Sequence, residues 1–299
     1  MINFESLISE VKEIMNTKKL KDQVRKIKNT ASKYLRAGQY RDAIKYYCRA
    51  AFYDYLSSNL IGSLNLFKKI LNILNNLGEH ERIGTLLNNI GYILHKLGNH
   101  EEGMKYYTKS LQHVGAQNDD KNTLIVLNNI GGILKDQGKY DEGLRFYKSA
   151  LNLIKPVGDE RIKVILLNNL GKLLLKRGNI KSALKLFKEA KQNVDNLDDC
   201  HTIKSIVLNN MGKVYFNFGE LEKTLNLYFK ALKVDKDSKN THRQAMDLNN
   251  IAWVFQEQGR FRKALEYYQC ALKTAKTLNK NKMEKVILDN IKLLYLKRL

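Results

Sequence analysis

Paired asparagines recur along the chain and are the most regular set of groups that could bind a ligand. Each pair follows a leucine, and these leucines are 40, 40, 41, 40 and 40 residues apart; in the last copy aspartate replaces the first asparagine. At 100° per residue, Asn128 and Asn129 point broadly away from Leu127, Ile130 and Leu134. An amide is both donor and acceptor, so a ladder of amides suits the backbone of an extended peptide. The alternative is that these side chains bond neighbouring helices or cap turns.

Basic side chains follow the asparagines by about one helical turn. The same face is predicted to carry His95, Lys96, Lys135, Lys172, Lys176 and Lys213, and then Trp253 in the next copy. Its centre should therefore be positive, and its C-terminal end aromatic and less basic. A positive surface favours an acidic peptide, whereas lysines that are merely solvated give the same pattern.

The sequence contains no recognised catalytic or metal-binding motif. The six histidines form no HExxH motif and no metal-ligand spacing, and the chain has no phosphate loop, GxSxG motif or dinucleotide fingerprint. Its three cysteines are too few and too scattered for a disulfide framework or a CxxC metal site. We therefore expect no enzymatic activity, no cofactor, no small-molecule substrate, and reduced thiols in a cytoplasmic protein.

The elements that position these side chains are helices. Leucine and isoleucine recur at three- and four-residue spacings over residues 127–151, which is a helical period. Gly138 interrupts the pattern and suits the left-handed residue that ends a helix. The corresponding breakers in the other copies are Gly98, Gly178, Gly219 and Gly259. One unit is therefore predicted to be two antiparallel helices, A and B, joined by a tight turn.

Small residues are predicted to lie where the two helices of a unit cross. They are Gly91, Gly131, Gly171, Gly212 and Ala252 on helix A, and Gly103, Gly143, Ala183 and Ala264 on helix B. Large residues recur one turn beyond, at Tyr107, Tyr147, Phe187, Tyr228 and Tyr268. Glycine inside a helix costs about 1 kcal/mol relative to alanine, so a close approach of the two backbones is the expected compensation.

The complete pattern resembles the tetratricopeptide repeat (TPR). It reads Leu-x-x-Ile/Leu-Gly-x-x-Leu/Tyr-x-x-x-Gly-x-x-x-x-Ala/Gly-x-x-x-Tyr/Phe-x-x-Ala from about residue 80 to the C-terminus. The 40-residue length and the Leu-Asn-Asn opening are similar to the longer repeats of kinesin light chains, LGN-type polarity adaptors and bacterial Rap-type peptide receptors. Two departures affect the turns between repeats and the end cap: the usual closing proline is absent except at Pro156, and Lys292 replaces the small residue of the last helix A.

This resemblance implies an all-α, right-handed TPR superhelical solenoid of antiparallel helix pairs with a C-terminal capping helix. It also implies that the A helices line a concave groove. In kinesin light chain and LGN-type relatives, the second asparagine bonds the peptide backbone. Here the matching residues are Asn89, Asn129, Asn169, Asn210, Asn250 and Asn290.

The predicted helices follow the chain in one continuous solenoid. Two N-terminal helices are expected at residues 3–16 and 19–37, and degenerate repeats continue to residue 79. Five regular units occupy 80–280, with helices at about 80–97/100–115, 120–137/140–155, 160–177/180–194, 201–218/221–234 and 241–258/261–276. The capping helix is 281–299, in which residues 281–298 are helical.

The repeat register between residues 20 and 79 has two readings. Residues 31–50 fit the motif with Gly38 as the breaker, whereas counting back 40 residues from Gly98 reaches Ser58. The two registers share the helix at about 40–57. We favour the 40-residue register because it continues that of the later units.

The composition limits the partners. The net charge is +22, and a strongly basic protein favours nucleic acid or acidic protein as a binding partner. We expect no secretory signal, because the N-terminal residues show no positive start followed by an apolar run. We also expect no membrane insertion, because no apolar run approaches the ~20 residues that span a bilayer. The favoured function is binding of an extended, acidic protein or peptide segment. The alternatives are a signal-peptide-sensing regulator of the Rap type and a nucleic-acid-associated adaptor that uses a basic outer face.

Overall fold

The computed structural model describes residues 17–278 and 281–298, and within these ranges it consists of fourteen α-helices joined by turns. The all-α prediction is confirmed; the helix predicted at residues 3–16 lies outside the described residues. The chain divides into two compact units, and the division falls between Val157 and Gly158. None of the described helices is both long enough and apolar enough to cross a membrane.

The helices of unit 1 are α1 (Thr17–Arg36), α2 (Tyr40–Leu56), α3 (Leu60–Leu77), α4 (Ile83–Lys96), α5 (His100–Ala116), α6 (Asp120–Asp136) and α7 (Tyr140–Val157). Unit 2 contains α8 (Glu160–Lys176), α9 (Ile180–Asp195), α10 (His201–Asn217), α11 (Leu221–Asp237), α12 (Thr241–Glu257), α13 (Phe261–Lys276) and α14 (Asn281–Arg298). Each A helix packs on the B helix that follows it: α4 on α5, α6 on α7, α8 on α9, α10 on α11 and α12 on α13.

The predicted breakers end the A helices. Gly98, Gly138, Gly178, Gly219 and Gly259 all have positive φ, with φ +90 at Gly178. Helix α5, which follows Gly98, begins with a side-chain cap in which Asn99 accepts from the Glu102 N–H. The A helix α8 is capped in the same way by Asp159, which accepts from the Ile162 N–H. The glycine and the cap together fix where one helix ends and the next begins.

The turn between α9 and α10 is longer than the corresponding turn between α5 and α6. It runs over residues 196–200, whereas the turn between α5 and α6 occupies residues 117–119. This extra length accommodates the single 41-residue spacing of the sequence. Asn210 of α10 still bonds Asn168 of α8, so the repeats stay in register on both sides of the turn.

In each of these A–B pairs the two helices cross closely, as the small residues predict. A Cβ atom added to Gly91 would lie 2.7 Å from the Tyr107 ring, and one added to Gly171 would lie 2.6 Å from the Phe187 ring. Both rings are completely buried. The aromatic side chain of helix B therefore lies directly over the backbone of helix A.

Helix α2 explains why two registers fit the N-terminal sequence. It packs against both α1 and α3, and Ala43, Ala50 and Ala51 along it are all completely buried. Gly38 and Ser58, the competing breakers, both have positive φ. One helix thus satisfies the small-residue positions of both registers, and our preference for the 40-residue register stays a prediction.

Helix α14 packs on α13 and α12, with Ile287 and Leu294 buried. Its exposed lysines include Lys285 and Lys292, in agreement with the polar outer surface expected of a cap. Apolar side chains also remain exposed on this helix, at Val286, Leu288, Leu293, Tyr295 and Leu296.

Replacing Gly171 with alanine should destabilise unit 2 by about 1–3 kcal/mol, because the new methyl group overlaps the Phe187 ring in a packed core. The matched change is Gly115→Ala near the end of α5, where an added Cβ meets nothing within 4 Å. That variant should be neutral or more stable, since alanine is the better helix former. Urea unfolding measures both, and equal effects of the two substitutions would contradict the close-crossing account.

Candidate peptide-binding face

The exposed side of the A helices in unit 2 forms a grid of four rows. Positions i, i+4, i+7 and i+11 of a helix share one side. We call this surface the A-face of unit 2 and define it by its rows. The first row is Ile165, Ile206, Met246 and Val286, and the second is Asn169, Asn210, Asn250 and Asn290. The third is Lys172, Lys213, Trp253 and Leu293, and the fourth is Lys176, Asn217 and Glu257.

The second-row asparagines bond the repeat before them. Asn210 Nδ2 donates to Asn168 Oδ1 at 2.7 Å, Asn250 Nδ2 to Asn209 Oδ1 at 3.1 Å, and Asn290 Nδ2 to Asn249 Oδ1 at 2.9 Å. In unit 1, Asn129 Nδ2 donates to Asn88 Oδ1 at 2.9 Å. Asn89 and Asn169 are half-buried at the corresponding positions. Asn88, Asn168, Asn209 and Asn249, the first asparagines of their pairs, therefore have a structural role as acceptors.

These bonds limit how the amides can contact a ligand. Each bond uses an N–H of the second asparagine and leaves its carbonyl oxygen to other donors. Asn250 and Asn290 are half-buried, but Asn210 is only 7% exposed. The ladder thus connects neighbouring repeats, which was the alternative considered from the sequence, and it still presents acceptors on the surface at its C-terminal end.

Replacing Asn210 with alanine should lower the stability of unit 2 by about 1–3 kcal/mol, because the Asn168 carbonyl would remain buried without its donor. The control is Asn217→Ala, an exposed asparagine on the same helix. We expect it to change stability little. Unfolding in denaturant measures the stability of both variants. An Asn210→Ala variant as stable as the native chain would contradict a structural role for the ladder.

Positive charges gather on the N-terminal half of this face. Lys213 keeps contact with solvent, yet partial desolvation lowers its pKa, and the nearby Lys176 and Arg243 lower it further. Lys172 lies half-buried in the same row. The neighbouring charges that act on Lys213 are thus both positive, and an anionic group bound there would relieve their repulsion.

The C-terminal half of the face carries aromatic and apolar side chains. The Trp253 ring stacks on Phe216 with centroids 4.0 Å apart. Trp253 is 37% exposed, and Leu293, the next residue in its row, is 54% exposed. Phe216 was not among the predicted residues, although its place one turn beyond Lys213 could have identified it.

The A helices of unit 1 carry a different set of groups. His95 Nε2 lies 2.9 Å from Asp136 Oδ2, and the other oxygen of this carboxylate pairs with Lys135. Burial is the main cause that lowers the pKa of His95, so its imidazole is neutral at pH 7. Lys96 lies over the Tyr92 ring, 5.3 Å from its centroid. Lys135 and Asp136 offset each other's charge, so this face is less positive than its lysines alone suggested.

A buried polar cluster at the junction of α10, α11 and α12 was missed by sequence reasoning. Ser205, Asp235 and Asp247 are all completely buried. Equivalent positions in other repeats hold buried aliphatic residues: Val164 and Leu124 for Ser205, Val194 and Val114 for Asp235, and Val207, Leu166 and Val126 for Asp247. This departure from the repeat pattern was visible in the sequence.

The cluster is connected by hydrogen bonds. Ser205 Oγ donates to Asp235, and Arg243 Nε donates to Asp235 Oδ2 at 3.2 Å. Asn209 Nδ2 donates to Asp247 Oδ1 at 2.7 Å. The other carboxylate oxygens, Asp235 Oδ1 and Asp247 Oδ2, are buried without a donor. A proton held between the two carboxyl groups would supply the missing hydrogen-bond donor.

Burial, followed by the interaction with Asp235, raises the pKa of Asp247 to about 8. The folded state therefore holds a proton that the unfolded chain releases near pH 4, so this group's contribution to stability is complete below pH 4 and is lost as pH rises towards 8. Asp247→Asn should remove that dependence. We expect the melting temperature of the native chain to fall relative to the variant by about 5 °C or more between pH 5 and pH 9. If the melting temperatures of the native chain and the variant change equally with pH, a proton shared by the two carboxyl groups is contradicted.

Comparison with known proteins places this geometry among helical repeat proteins. Models described as tetratricopeptide repeat match residues 84–112, 122–194 and 204–277. No curated protein matches in sequence. Among the residues that the structure describes, no three His, Cys, Asp or Glu side chains form a metal-binding group.

Three solved structures illustrate the similarity. BtubC (BKLC) from P. vanneervenii aligns with TM-score 0.62 and 18% identity over 74% of this chain and 92% of its own. A Rap protein complexed with competence and sporulation factor aligns with TM-score 0.61 and 15% identity, over 85% and 75%. A STAND protein with a tetratricopeptide repeat sensor, from Pyrococcus horikoshii, aligns with TM-score 0.68 and 14% identity over 86% of this chain, which spans only 43% of that protein. At these identities the likeness shows the shared fold.

Proposed function

Because the chain belongs to the tetratricopeptide repeat family, whose members are protein-interaction scaffolds, we propose that it binds an extended acidic peptide segment on the A-face of unit 2. The role is that of a preformed binding scaffold without a catalytic step. Acidic side chains of the partner would lie over Lys172, Lys176 and Lys213. Its backbone would pass along the second-row amides.

The observation that carries this proposal is the crowding of positive charge around Lys213. Lys176 and Arg243 both oppose its protonation. Arg243 is paired with the buried Asp235, so the carboxylate that neutralises it lies inside the protein. A ligand carboxylate would stabilise the three lysines of the A-face, Lys172, Lys176 and Lys213.

The amides supply contacts that do not depend on the ligand's sequence. Asn250 and Asn290 present carbonyl oxygens that can accept backbone N–H groups. The same role is proposed for the other second asparagines, Asn89, Asn129, Asn169 and Asn210, and the charged groups of unit 1, His95, Lys96 and Lys135, would contact ligand on its own A helices.

A Rap-type regulator is a second candidate that would use the same surface. The Rap structure is a complex with competence and sporulation factor, but its likeness to this chain concerns the fold. The proposal therefore concerns peptide binding and includes no regulatory activity.

The charge-reversed variant Lys172→Glu/Lys213→Glu tests the function. Acidic peptides captured from an array by the native chain would be synthesised with a fluorescent label and titrated by anisotropy. We expect the variant to lose about 1–3 kcal/mol of binding free energy, and the loss to be larger at low salt, where screening is weak.

The matched control is Lys181→Glu/Lys185→Glu, which makes the same change of charge at two exposed positions on α9, outside the A-face. It should bind the peptide nearly normally. Equal losses in both variants would indicate only a general effect of net charge. Tight binding of an oligonucleotide at physiological salt, with a steep salt dependence and loss in the control variant, would favour the nucleic-acid adaptor instead.

A further inference from the structure

The first row of the A-face is an aliphatic stripe that sequence reasoning did not identify. Ile165 is 37% exposed, Met246 43% and Val286 51%, and Ile206 is half-buried between them. Every residue of the row stands four positions before a second-row asparagine. The stripe therefore runs parallel to the amide ladder, on the side opposite the lysines.

Packing within the repeats does not account for this stripe. The residues that hold the repeats together, such as Ile251 and Leu208, are almost completely buried, whereas the side chains of the first row remain in contact with water. Aliphatic groups thus recur at a solvent-accessible position in four successive repeats, and a row of accessible apolar side chains beside polar rows is typical of an interaction site.

The rows on the other side restrict what can cover the stripe. Lys172 and Lys213 face its first half, and Trp253 and Leu293 face its second half. An occupant must therefore combine aliphatic side chains along one edge with acidic groups along part of the other. A purely acidic or a purely apolar segment would complement only one side of the surface.

The spacing of the A helices restricts the conformation. Helices α8 and α10 contact each other, as do α12 and α14, and packed helices have axes roughly 8–10 Å apart. A polyproline II chain has three residues per turn and advances about 3.1 Å per residue, so the same edge returns after roughly 9 Å. One side chain in every three would thus meet each successive A helix.

We propose that the partner is an extended segment of about twelve residues with an aliphatic side chain at every third position, seated along Ile165, Ile206, Met246 and Val286, and with acidic residues confined to the half that faces Lys172 and Lys213. This proposal rests on the proposed function and specifies its ligand. The aliphatic edge sets the register, and the acidic half sets the direction of the chain.

Two synthetic peptides of identical composition test the pattern. One places leucine at every third position and aspartate in one half. The other has its leucines consecutive and the same aspartates. Both are labelled and titrated by fluorescence anisotropy, and the patterned peptide should bind about tenfold more tightly.

The protein variant Met246→Gln/Val286→Thr tests the stripe itself. Both side chains are exposed, so the fold should be unaffected, which melting curves would check. The variant should bind the patterned peptide about tenfold more weakly and the consecutive peptide unchanged. The control Ile61→Gln removes an aliphatic residue that is 63% exposed on α3, away from this face, and should bind like the native chain.

The outcomes separate this inference from the proposed function. If both peptides bind equally, depend on Lys172 and Lys213, and ignore the Met246→Gln/Val286→Thr change, the aliphatic register is wrong while the acidic-peptide surface stands. If neither peptide binds and the lysine variants have no effect on captured ligand, both proposals fall. Preference for the patterned peptide, lost in the stripe variant alone, supports the inference.

Discussion

The structure depends on the contact between an aromatic ring of one helix and the bare backbone of the preceding helix. Gly171 leaves room for Phe187, and Gly91 leaves room for Tyr107. This contact fixes how closely the two helices of a pair can approach, and hence which side of helix A remains on the surface. Because the same contact recurs at Gly131 and Gly212, the exposed side of helix A recurs as well, and the side chains on it form rows.

A second interaction sets the register between pairs. Bonds such as that from Asn250 to Asn209 connect one A helix to the next. They bring the side chains of successive repeats into line despite the longer turn before α10. The asparagines therefore contribute indirectly to the proposed interaction surface, because their bonds help to hold the aliphatic and basic rows in line.

Much of this organisation could be predicted from the sequence. The unit expected at 241–258/261–276 is observed as Thr241–Glu257 and Phe261–Lys276, because a glycine and a helical period define helix ends locally. The inter-repeat partner of each asparagine was harder to predict, since an amide on a solvent-facing side suits a ligand and a neighbouring helix equally. The Asp235–Asp247 pair was missed because its two carboxyl groups lie on different helices. Only a comparison with the aliphatic residues at the same positions of other repeats would have indicated it.

The buried acid pair also has a consequence for how unit 2 comes apart. Repeats in a linear array are stabilised mainly by their immediate neighbours, so cooperativity is only as strong as the weakest junction. Every equivalent junction position discussed above holds an aliphatic contact, whereas the one between α11 and α12 holds a proton-dependent contact. We therefore expect pH to influence how far the helices on either side of that junction unfold together, which their hydrogen-exchange protection would report.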